Sequence, residues 1–135
     1  MGLAERRAAQ KFSTDEYPHW KHRIDQAACF EVPVEVAWDE LAVDGYADDY
    51  PEFFTKVYFG PLAEALAAIT IDDLGKDALK SGLTKIIIRN SGQYHSNSGF
   101  TFVDGVLTID HQAQSNVEYH DARAKQLQQL LESSL

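Results

Sequence analysis

The chain has 135 residues, a net charge of −9, 44% hydrophobic and 24% charged residues, a composition that suits one globular domain over residues 1–135 and excludes a disordered chain. Its one cysteine, Cys29, excludes an internal disulfide and a cysteine-rich zinc site, so a reducing, cytoplasmic home is expected. The N-terminus carries no apolar signal-peptide stretch and no run of about 18 apolar residues occurs, so no membrane span is expected.

In chain order, residues 3–28 read as helix interrupted between Ser13 and Pro18. Ser13-x-x-Glu16 has the form of a capping box, and Tyr17, Trp20, Ile24 and Ala27/Ala28 form a stripe toward a core. Cys29, between Ala28 and Phe30, is expected in that core. Residues 32–38 alternate apolar with other residues and predict a strand, placed at an edge or paired only after Pro33, which cannot donate to a ladder. Phe53 to Phe59 suits helix or strand, and helix is favoured. Gly60-Pro61 punctuates it, with Pro61 in the first turn of a helix bearing Leu62, Ala65, Leu66 and Ile69 on one face. Thr70 is the expected cap of the next helix, with Asp72 and Asp73 near its positive end, Lys80 near its negative end and Gly82 as its stop.

The strongest pattern lies in residues 84–112. Lys85–Arg89 reads as a buried central strand, and residues 100–109 as a hairpin turned by Asp104-Gly105. Pairing Val103 with Val106 puts Phe100, Phe102, Leu107 and Ile109 on one core-facing side, and a one-residue slip would expose all four. Ser115-x-x-Glu118 is expected to cap a last helix with Val117, Ala124, Leu127, Leu130 and Leu131 on one stripe. The fold class expected is therefore α+β: a three- or four-stranded, mostly antiparallel sheet with helices packed on one face, including helical N- and C-terminal segments.

Charge is uneven along the chain. Residues 30–55 hold eight of the 21 acids and none of the 12 bases, which accounts for −8 of the net charge. Such a surface repels nucleic-acid phosphates, so nucleic-acid binding is not expected. The same segment interleaves aromatic rings with its carboxylates, and Trp38, Asp39, Glu40, Asp44, Tyr46, Asp48, Asp49, Tyr50 and Glu52 are the candidate residues for binding a basic protein partner. The bland alternative is rings anchoring a loop whose acids face water. Asp44 to Asp49 lacks the alternating acids and distal Glu of an EF-hand, so no cation site is expected.

Catalytic templates are missing: the sequence has no glycine-rich phosphate loop, Gly-x-Ser-x-Gly elbow or His-Glu-x-x-His. His19 and His22 share a helix face that is expected to be solvated, and no metal and no cofactor are expected. The strand arithmetic nevertheless brings the ends of three strands and the polar loop 91–99 to one end of the sheet. His95, Asp110 and His111 are the candidate catalytic residues there, with His95 the freer imidazole and general base, His111 closing the core and His120 nearby. Two functions follow: a non-enzymatic interaction module (adaptor, inhibitor or immunity-like) binding a basic partner through residues 30–55, or a small ligand-binding or metal- or His-assisted enzyme domain with its site at the 91–99 loop.

Overall fold

The structure is a computed structural model and describes residues 2–135. Two helices open it, α1 (Leu3–Asp15) and α2 (Tyr17–Ala28). The break falls at Glu16 because Pro18 fits only the first turn of a new helix. Ser13 does not cap α2: it lies inside α1, where its hydroxyl donates back to the Gln10 carbonyl. Glu16 holds the cap position instead, with no side-chain bond. Cys29 is also not a core residue. Since α2 ends at Ala28, Cys29 takes the left-handed conformation (φ 66°) that turns the chain, and lies exposed.

β1 (Val34–Val36) is an edge strand whose pairing starts after Pro33. The chain then crosses over through helices: α3 (Trp38–Leu41), a 3-10 turn at 47–49, and a run of helix composed of α4 (Tyr50–Phe54), a π-helical segment (Thr55–Phe59) and α5 (Gly60–Ile69). In the π segment the Gly60 N–H reaches back to the Thr55 carbonyl, whereas an α-helix would direct it to Lys56. Pro61 follows and has no N–H, so the Lys56 carbonyl must find its donor outside the helix. α6 (Asp73–Gly82) is capped by Asp72, which accepts the Gly75 N–H at 2.8 Å. Thr70 is not the cap, because its hydroxyl is taken by the Ala27 and Leu66 carbonyls at 2.6 and 3.1 Å.

β2 (Lys85–Arg89), β3 (Phe100–Val103) and β4 (Val106–Asp110) complete a four-stranded sheet in the order β1-β2-β4-β3. β1/β2 and β2/β4 run parallel, and only the β3/β4 hairpin is antiparallel, which corrects the expected mostly antiparallel sheet. The helical crossover between β1 and β2 returns the chain to the end of the sheet from which β1 started. The hairpin then inserts its second strand, not its first, beside β2. Its register is the expected one, Phe100 opposite Ile109 through Val103 opposite Val106, around Asp104 and Gly105 at φ 52° and 80°.

One face of the sheet is closed, with Ile86, Ile88, Leu107 and Ile109 all at 0% exposure. The alternate residues Glu35, Lys85, Arg89 and Thr101 leave the other face open. The core between sheet and helices is centred on Leu62, Leu66 and Tyr58, with Phe12 stacked on Phe59 (5.7 Å) and edge-on to Phe54 (5.2 Å). α7 (His120–Glu132) packs on α5 through Ala124, Leu127 and Leu131. Ser115 and Glu118 do not cap it. The turn before α7 carries Asn116 at φ 53°, Ser115 donates to the Gln112 side chain at 2.6 Å, and Glu118 pairs with Lys56 at 3.0 Å. Among the described residues, no helix is long and apolar enough to cross a membrane.

Candidate functional site

The acidic segment is anchored from below. Tyr50 is fully buried and its hydroxyl closes the turn, accepting the Val43 N–H at 2.7 Å and donating to the Val43 carbonyl at 3.0 Å. Burial pushes that phenol above its ordinary pKa. Glu5, at the start of α1, accepts the Gly45 N–H at 3.2 Å, and this bond lowers the pKa of its carboxyl. Trp38 is half-buried against the rings of Phe12, Tyr17, Phe54 and Phe59. Of the candidate aromatics only Tyr46 lies at the surface, 38% exposed and packed 5.6 Å from Phe53.

The carboxylates divide into two sets. Glu35 and Glu40 are paired across the open sheet face, with Lys85 at 2.6 Å and with Arg89 through two bonds of 3.2 Å. Asp39, Asp44, Asp48, Asp49 and Glu52 are exposed, and Glu52 lies 3.9 Å from Lys56. A surface cleft of about 470 Å³ joins Asp48 to Asp15 and Glu16 at the end of α1, so acids from two parts of the chain meet there, with Lys11 on the rim. Of the nine candidate partner residues, the structure leaves six facing solvent and puts Tyr50, Trp38 and Glu40 to work within the fold.

At the other candidate site the structure brings His95 and His111 together and sends Asp110 elsewhere. Both histidines line a cavity of about 220 Å³ between the 95–97 loop and the first turn of α7. His111 follows Leu107 and Ile109 onto the core side of β4 and is 1% exposed; Asp110, one residue earlier, points to the opposite side. There Asp110 accepts the Ser91 N–H at 2.9 Å and lies 3.9 Å from Arg89. Tyr58, wholly buried, donates to the His111 carbonyl at 2.5 Å. The His111 ring bonds the Gln112 carbonyl through Nδ1 at 2.7 Å, and since a carbonyl only accepts, Nδ1 carries the hydrogen. Burial, aided by the nearby charges of Arg123 and His95, lowers the pKa of this imidazole. His95 is exposed, and its carbonyl accepts the Asn116 side-chain amide. Gly99 is required beneath this loop, where a Cβ would collide with the Asp110 carbonyl and the Tyr94 ring.

His120 does not join them. It lines a separate, wider cavity of about 610 Å³ between α2, α5 and the start of α7, together with Arg23 and Lys56, and its Nδ1 lies 3.1 Å from Asp121. Among the described residues, no group of three or more His, Cys, Asp or Glu side chains converges as a metal site would require.

Arg123 is the residue that sequence reasoning missed. It is 3% exposed on the buried stripe of α7, and its guanidinium donates to the Lys56 carbonyl at 3.0 Å and to the Asn116 carbonyl at 2.7 Å. The signal lies in the spacing, because Arg123 precedes Leu127 and Leu131 at steps of four. The sequence matches no protein-family model, no curated protein and no solved structure.

Proposed function

We propose that the protein is a non-enzymatic interaction module that binds a basic protein partner through the acidic stretch Asp39–Glu52. The observation that carries this reading is the contrast between the two layers of the segment. Tyr50, Leu41 and Phe54 are fully buried and hold the backbone, while Asp39, Asp48, Asp49 and Glu52 stand in solvent above them. A pre-shaped display of like charge costs little ordering on binding and steers a cationic partner toward it. Tyr46, beside Phe53, supplies an aromatic contact within the patch.

The test is capture of partners by the wild-type chain and by the variant Asp48→Asn, Asp49→Asn, Glu52→Gln, at low and at high salt. A basic protein retained at low salt by the wild type alone, with its association slowed in the variant, is the expected outcome. Steering of this kind is screened beyond about 8–10 Å at physiological ionic strength, so the difference should shrink as salt is added. Identical partners and identical association rates for both chains would refute the reading.

A further inference from the structure

We propose that the cavity between the 95–97 loop and the first turn of α7 binds a small oxyanion, a phosphate or carboxylate group, anchored by Arg123. This surface is separate from the acidic stretch, and the inference stands or falls independently of it.

A buried cation ordinarily has a counter-ion, because removing it from water is costly and neutral dipoles repay only part of that cost. Arg123 is 3% exposed, yet both of its hydrogen bonds go to neutral carbonyls. Among the described residues, no carboxylate lies within ion-pair distance of it, in a chain with 21 acidic residues. Two of its five N–H donors are occupied, and a guanidinium fork suits two oxygens of one anion.

The lining is consistent with an anion. His95, His111, Asn116, Tyr119 and Gln126 surround Arg123, and no Asp or Glu contributes to the wall. The turn that closes the cavity ends at Tyr119, and one side of α7, through Ala122, Arg123 and Gln126, forms the wall that presents the guanidinium. Size limits the occupant. A volume of about 220 Å³ falls below the roughly 300–1,000 Å³ of pockets that enclose drug-sized molecules. The cavity takes a free ion, or the charged end of a compact metabolite.

The experiment titrates the full chain with inorganic phosphate, and separately with acetate, at constant ionic strength with chloride as the balancing ion. Ring signals of all five histidines are followed by NMR. The expected result is a saturable shift of His95 and His111, with His19 and His22 unmoved. Saturation by phosphate identifies a phosphoryl ligand, and saturation by acetate a carboxylate. Gln126→Glu places a carboxylate on the lining one helical turn from Arg123, and should weaken binding by about tenfold or more while the chain stays folded. His95→Ala, on the exposed rim, should weaken binding by a smaller factor and serves as the second variant should Gln126→Glu not fold. No saturable shift with either anion would overturn the proposal. So would shifts spread evenly over all five histidines, or binding unchanged by both variants.

Discussion

Tyr58→Phe isolates one buried hydrogen bond. The ring stays, with its contacts to Phe54 and Phe59 at 6.1 and 6.3 Å, and only the hydroxyl that donates to the His111 carbonyl is removed. Donor and acceptor residues are 0% and 1% exposed, so the abandoned carbonyl gains no water in exchange. An ordinary hydrogen bond contributes about 0.5–1.5 kcal/mol net, but leaving a buried partner unsatisfied costs about 1–3 kcal/mol, and the second figure applies here. For a chain of this length the melting temperature should fall by roughly 3–10 °C. Urea unfolding at neutral pH measures the loss, and repeating it above pH 10 tests its cause. Burial raises the Tyr58 pKa well above its ordinary 10.0, so the folded protein keeps a proton that the unfolded tyrosine releases. The resulting stability is complete below about pH 10 and declines as pH rises further. The wild type should therefore lose stability more steeply than the variant on the alkaline side, and the gap between them should narrow. Tyr17, raised to about 12, and Tyr50, also raised, leave a residual slope in both proteins. A loss under about 0.5 kcal/mol, or a gap independent of pH, would refute this reasoning.

His111 governs the acid side. Burial holds its pKa below the ordinary 6.5, so stability is complete above that pH and falls as pH drops through the folded-state value; His111→Asn should flatten this limb, and an unchanged slope in pH-dependent unfolding would assign it to other groups. Phe12→Ala should cost about 3–5 kcal/mol, since the ring is 2% exposed and touches Trp38, Phe54 and Phe59, whereas half-buried Phe102→Ala should cost clearly less; denaturation midpoints that reversed this order would displace the aromatic cluster from the centre of the core.

The hairpin was legible because its evidence is local. Asp104-Gly105 sets the turn, and the alternation of Phe100, Phe102, Leu107 and Ile109 sets the register. Strand order was not legible, because the pattern of Ile86 and Ile88 is satisfied equally by β3 or β4 as neighbour, and only the three-dimensional path of residues 90–99 chooses between them. Caps failed for a related reason. Ser13, Thr70 and Ser115 each have the right residue type, but each hydroxyl found a nearer acceptor within a few residues or across the fold. In the acidic segment the count of charges could be read directly, while the burial of Tyr50 could not, because its hydroxyl is satisfied by Val43, seven residues away.

Arg123 was hidden in a different way, since the reason for it lies in another helix. Gly60 and Pro61 set the hydrogen bonding of the π segment so that the Lys56 carbonyl turns to a donor outside the helix. The Asn116 carbonyl, in a turn with positive φ, accepts the Tyr119 N–H at 3.1 Å and takes the guanidinium as its second donor. A methionine at 123 would fill the stripe of α7 but take the outside donor from the Lys56 carbonyl and leave the Asn116 carbonyl with the Tyr119 N–H alone. A lysine would bring a single ammonium nitrogen to two acceptors that the planar guanidinium reaches with separate nitrogens. Lys56 joins the same pair of elements through its other end, since its side chain holds Glu118 at 3.0 Å, so the turn before α7 is fastened to the π segment from both sides. Arginine at 123 therefore serves both backbone segments from one side chain. Its positive charge arrives as a consequence, in a cavity whose walls carry no acid to balance it.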